Sequence, residues 1–351
     1  MKNWIKTSVF AIVVLCFASP QSHSAPPKPK TKVPTASSVG TNHATIGTTQ
    51  LSGENAQFGV TYTLGKLRPM NITLRSAEYS VEPLLIGKRL FIADAAHKLL
   101  ILHMTYHNPI HADQSVRWDT YRYTVVDAAD QNHLGLVDLG AESDKSVVQL
   151  QMKPAQKMDV YGALLVPAEG EMPKLILQAS DGLVLRYDLR GKVKGLAAVY
   201  ADPADKTGAT ALATIAAPSG SSVPVGAFLA KVNKAQYVAE KRIGTVGVDK
   251  TSRLCTVEVT IKNGDTRNQS FRWDTLRPKL VDTAKIEIGR AMDALFADRD
   301  RSFSAPIEPG QEVVVRYLFK VPNDTTPKTL TLTVAEGRLV VFDIGTVIQP
   351  L

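Results

Sequence analysis

An internal repeat constrains this chain more than any other feature. VRWDTYRYTVVD at residues 116–127 returns as FRWDTLRPKLVD at residues 271–282, an offset of 155. At that offset 12 of the 30 positions from 98 to 127 are identical without a gap, and the register runs on to residue 188. MKPAQKMDVYGALLVP (152–167) falls on IEPGQEVVVRYLFKVP (307–322), and KLILQASDGLVLRYD (174–188) on TLTLTVAEGRLVVFD (329–343). Self-similarity at one spacing means one structural unit built twice. A chain of 351 residues, 44% apolar and 21% charged, is long enough for two such domains of roughly 130 residues each.

Each unit reads as β. In CTVEVTI, Cys255, Val257, Val259 and Ile261 alternate with Thr256, Glu258 and Thr260, and a period of two puts one face of a strand in a core. VVVRYLFKV and TLTLTV alternate likewise, while Ser180-Asp181-Gly182 and Ala335-Glu336-Gly337 supply turns. Short strands between turns, with no βαβ rhythm, predict an all-β protein of antiparallel sandwiches. The units are placed at 56–192 and 223–351. Residues 193–222 form the linker, which ends in the low-complexity stretch ADPADKTGATALATIAAPSGSS. Within the repeat, 128–151 and 283–306 diverge. In the second unit Ile288, Ala291, Met292, Leu295 and Phe296 follow helical spacing, which predicts a short amphipathic helix over an open end of that sandwich.

The N-terminus reads as a targeting segment. Residues 1–24 combine Lys2 and Lys6, an apolar run from Val9 to Ala18, and Ser22-His23-Ser24 as a small-x-small cleavage pattern, the layout of a signal peptide. That run is far shorter than the ~20 residues that span a bilayer. Leu15 stands before Cys16 where a lipobox needs Gly, Ala or Ser, so the expectation is export and release into the periplasm or the extracellular space. Residues 25–55, rich in Pro, Lys, Ser and Thr, read as a flexible arm that cannot bury enough surface to fold. Removal of the signal leaves one cysteine, Cys255, and therefore no intramolecular disulfide. The net charge of +8 loses Lys2 and Lys6, and the remaining mild excess argues against a dedicated nucleic-acid binder.

The second unit resembles a known family. Val257 to Asn263, then Phe271 to Asp282, then Pro309-Gly310-Gln311-Glu312 ahead of an alternating strand to Pro322, resembles the DUF4352 or telokin-like, immunoprotective extracellular immunoglobulin-like family. The first unit departs from the pattern at Pro154-Ala155-Gln156-Lys157. The resemblance implies two tandem immunoglobulin-like β-sandwiches after a signal peptide and arm, and it brings no catalytic residues and no cofactor.

The candidate ligand-binding residues are Arg117, Trp118, Asp119 and Arg122, with Arg272, Trp273, Asp274 and Arg277. On a regular strand Arg and Asp two apart share a face and can pair at the sandwich rim, leaving each Trp outward beside Arg122 or Arg277, in reach of cation–π contact. A bulge would bury the Trp instead. The motif is thus either a structural fastener or a ligand surface. His103, His107 and His111 lie four apart on or after a strand, about 13 Å from one to the next, so they read as surface residues and not as a metal site. Asp127, Asp130 and Asn132 lack the Gly and distal Glu of a calcium loop and read as a turn. Cys255 reads as a buried, inert thiol.

These residues predict a non-catalytic envelope protein that binds a protein or polysaccharide. An alternative is an envelope hydrolase sited between the units, drawing on Asp119, Asp274, His133 or Glu287.

Overall fold

Alternating apolar residues in both units become long antiparallel strands in a computed structural model that describes residues 55–349. The expected signal peptide, and the arm up to residue 54, lie outside the described residues. The described chain is all β. It contains no helix, and so none long and apolar enough to cross a membrane.

In the first unit one sheet runs in the order Thr61–Leu64, Met70–Ser80, His97–His107, Lys157–Pro167 and Leu139–Ala141. The facing sheet runs Val184–Asp188, Lys174–Gln178, Arg122–Val126 and Asn132–Leu134. Leu100, Leu102, Met104 and Tyr106 from one sheet share a core with Tyr123, Val125, Leu175 and Leu185 from the other. The Tyr106 and Tyr123 hydroxyls meet across this core, so a polar pair is satisfied internally.

The second unit repeats the plan at the offset read from the sequence. Gln114–Val116 and Leu150–Met152 pair with each other, as Gln269–Phe271 and Ala305–Ile307 do. Lys157–Pro167 recurs as Glu312–Pro322, and Val184–Asp188 as Leu339–Asp343.

The divergent segment departs from expectation. Residues 287–296 form a strand, Glu287–Phe296, and not an amphipathic helix. It pairs with Lys279–Asp282 along its first half and with Glu312–Pro322 along its second, with a register shift between Ala291 and Asp293. A bulge adds one residue and reverses the in–out parity. Buried Ala291, Ala294 and Leu295 therefore sit three and four apart, the spacing of a helix face, on an extended chain. The strand also switches sheets, joining eight strands of the second unit and Thr214–Ala216 of the linker into one path.

In the first unit the same stretch is broken into Asn132–Leu134 and Leu139–Ala141, one in each sheet. Gly135 takes φ +81 at the break, and Leu136 is buried beside Gly162, where an added Cβ would lie 2.8 Å from its Cδ1. In the second unit the buried Tyr317 occupies the position of Gly162, and Ala291 that of Leu136.

The residues between the units are pinned. Val193–Lys194 pairs in parallel with Met70–Ser80, and Thr214–Ala216 pairs in parallel with Leu339–Asp343. Leu196, Tyr200, Ala209 and Ala211 are buried. Two buried cations supply donors that no strand provides. Lys98 Nζ donates to the carbonyls of Ala168 (3.2 Å), Gly170 (2.6 Å) and Ala209, and lies 4.6 Å from the centre of the Tyr79 ring. The second unit repeats this cation–aromatic pair with Arg253 over Tyr237, 3.6 Å from its centroid.

Arg338, in the turn before Leu339–Asp343, crosses between the units. It donates to the carbonyls of Leu212 (3.0 Å), Ala93 (3.2 Å), Asp94 (2.8 Å) and His97. Ala95 N donates to Glu336 O at 2.8 Å, and Thr266 Oγ1 to Lys88 O at 2.8 Å, completing the seam.

Arg338→Met strands four carbonyls at this seam. The expected cost is about 3 kcal/mol or more, and calorimetry should show the single unfolding transition splitting as the units uncouple. Burial lowers the Lys98 ammonium to about 8, against Asp205, which favours the charged form. From pH 8 up to the ordinary lysine value the unfolded chain binds more protons at this group, so folding gains stability as pH rises through that window. The melting temperature of the native protein, measured against Lys98→Met, should therefore climb from pH 8 to pH 10.

Candidate functional site

The repeated Arg-Trp-Asp-Thr is a β-turn, not the start of a strand. Thr120 N donates to Arg117 O at 3.1 Å, and Arg117 N donates back to Thr120 Oγ1 at 2.7 Å. Thr275 and Arg272 repeat both bonds at 3.1 and 2.8 Å. Threonine at the fourth position closes the turn from both sides, which explains its presence in both units. The Asp that ends each motif caps the next turn. Asp127 Oδ1 accepts from the amides of Ala129 and Gln131, and Asp282 Oδ1 from those of Ala284 and Ile286.

The expected Arg–Asp pair forms in both copies. Arg117 Nε and Nη2 donate to the two oxygens of Asp119 at 2.9 and 2.6 Å, while Arg272 Nη2 makes a single contact of 3.2 Å with Asp274. All four side chains are substantially exposed, so each pair contributes at most about 1 kcal/mol. Trp118 is 48% exposed and Trp273 44%. Cation–π contacts among the described residues involve other rings, including Tyr79, Tyr161 and Tyr237, and neither of these Trp residues. Arg122 opens the strand Arg122–Val126 and is exposed. Arg277 is exposed too, but takes φ +42 ahead of Pro278, so the matching strand starts only at Lys279.

Beside the first turn opens a cleft of about 410 Å³. Arg117, Asp119 and Thr120 form one wall, and Arg68 and Ser180 lie on the others. Asp181 ties the 65–69 turn to the 179–183 turn by accepting from the amides of Lys66, Leu67 and Leu183, and the Lys66 amide foremost holds its carboxyl below the usual carboxylate range. Tyr121, only 6% exposed, lines the cleft and stacks edge-on against Tyr106 at 6.0 Å. Its hydroxyl has no hydrogen-bond partner among the described residues.

The corresponding rim of the second unit is partly covered by the first unit. Gly226 and Ala227 replace the longer 65–69 turn, Leu276 stands for Tyr121, and Arg338 stands for Leu183. Val81, Pro83 and Ile92 of the first unit come near Pro224, Val225 and Val334 around a void of about 40 Å³, and a second cleft of about 350 Å³ lies between Glu82, Leu85 and Leu90 and the 226–229 turn.

The groups weighed for hydrolysis are not assembled. Asp119 and Asp274 pair with their own arginines, His133 Nε2 lies 3.0 Å from Asp127 Oδ2, and Glu287 accepts from Lys279 and Arg290 at 2.7 and 2.6 Å. His103 bridges towards Glu142 (2.8 Å) and Glu78 (3.5 Å). His107, expected at the surface, is buried against Asn71 at 3.1 Å, and burial lowers its pKa. No group of three metal-ligating side chains occurs among the described residues. Cys255 is free and buried, its thiol pushed up to about 12 by burial.

The fold is an all-β sandwich class. Residues 217–338, essentially the second unit, match the family described as "Domain of unknown function (DUF4352)". An uncharacterized β-sandwich protein from Clostridium difficile 630 is 14% identical over 37% of this chain and 93% of its own length, with a TM-score of 0.27. Comparison with curated proteins returns no match.

Sequence reading missed the roles of Arg68, Tyr121 and Arg338. Only one signal pointed to Tyr121: it is the single residue that changes inside Arg-Trp-Asp-Thr-x-Arg, to Leu276. Thr120→Val keeps the shape and removes the acceptor that closes the turn. Chemical denaturation should show a loss of about 1 kcal/mol, larger than the loss from Asp119→Ala, whose ion pair is exposed.

Proposed function

We propose that this protein is an exported, non-catalytic binding protein of the cell envelope, periplasmic or extracellular, in which the free rim of the first unit meets a partner. One observation carries the reading. Two rims of the same plan differ: that of the second unit is partly covered by the first unit, while that of the first unit is free and carries a polar cleft of about 410 Å³ beside Trp118, with Tyr121 in place of Leu276. The N-terminal pattern of residues 1–24 supports export, and the partner classes that fit are an envelope protein or a polysaccharide.

Binding of the chain lacking residues 1–24 to envelope fractions tests this. Truncating an aromatic anchor costs more than 1 kcal/mol, so Trp118→Ala should weaken capture about tenfold. Trp273→Ala should leave it nearly unchanged. Equal capture by all three proteins would remove the motif from the binding surface.

A further inference from the structure

We propose that the cleft of the first unit takes one uncharged pyranose ring of an envelope glycan. This rests on the reading that the first rim is the binding surface, and it names the ligand chemistry.

The Tyr121 hydroxyl reaches the cleft from an otherwise buried ring and makes no hydrogen bond among the described residues, so it is free to pair with a ligand hydroxyl. Ser115 and Ser180 line the same cleft with hydroxyls that make no hydrogen bond among the described residues. The Arg117–Asp119 pair adds planar donors next to carboxylate acceptors, a combination that matches adjacent ring hydroxyls. The volume lies within the range of small-ligand sites, roughly 300–1,000 Å³.

Charge decides which ring fits. Arg68 and Arg117 are balanced by Asp119 and Asp181, so the cleft has no net charge with which to hold a carboxylate or phosphate. Trp118, next in the turn and 48% exposed, offers an aromatic face to the apolar side of a neighbouring ring. The second unit keeps Ser270 at the Ser115 position but lacks the other two hydroxyls, with Leu276 at the Tyr121 position and Ala335 at the Ser180 position.

Titration by calorimetry with three soluble probes tests the proposal: the tetramers of glucose, of N-acetylglucosamine and of galacturonate. At least one neutral tetramer should bind saturably and the galacturonate tetramer more weakly. Tyr121→Phe should raise the dissociation constant for the neutral probe about tenfold, the equivalent of one lost hydrogen bond, with an unchanged melting temperature. Leu276→Phe should leave binding as it was.

No saturable binding of either neutral tetramer, tighter binding of galacturonate, or unchanged affinity in Tyr121→Phe would each overturn the proposal. If neutral tetramers fail while Trp118→Ala still loses capture of envelope fractions, the glycan assignment falls and the rim stands as a surface for a protein partner. If Trp118→Ala loses nothing and no tetramer binds, both readings fall together.

Discussion

One buried guanidinium organises the relation between the two sandwiches. Loops outside a sheet leave carbonyl groups that must find donors when buried. Arg338 reaches four such carbonyls, three from the 93–97 loop of the first unit and one from Leu212. Its planar fork suits this task because several donors are held in fixed directions at one point. Lys98 does the same for Ala168, Gly170 and Ala209, so the segment between the units is held from both sides. Without these cations the seam would bury orphaned backbone groups.

That seam turns a duplicated plan into an asymmetric molecule. Turn, strand and core positions recur at a fixed offset, yet a few side chains give each unit a separate task. Arg338 for Leu183 makes the second rim a docking surface for the first unit, while Tyr121 for Leu276 puts a hydroxyl into the rim that stays open. Gly162 stands where the second unit has Tyr317, beside a stretch that breaks between sheets in the first unit and runs as one strand in the second.

Much of the fold was legible because burial and alternation are local. Cys255, Val257, Val259 and Ile261 were read as core from their period of two, and all are buried. The stretch from Ile288 to Phe296 was misread because a bulge makes an extended chain imitate helical spacing, and a bulge is set by two partner strands at once. The Arg-Trp-Asp-Thr motif was read as a strand, although its threonine closes a turn. Its Arg–Asp pairs and outward Trp rings were correct even so, because residues two apart lie close in either conformation.

By itself the sequence determined the duplication, the β character of each unit and the candidate motif, since periodicity carries that information. Tertiary structure alone decided which of two similar rims is partly covered. That outcome depends on where Arg338 finds its carbonyls and on which side chains the first unit lays across the second. The Arg338 bonds to Ala93 and Asp94 join residues 245 and 244 positions apart, and no local pattern records them.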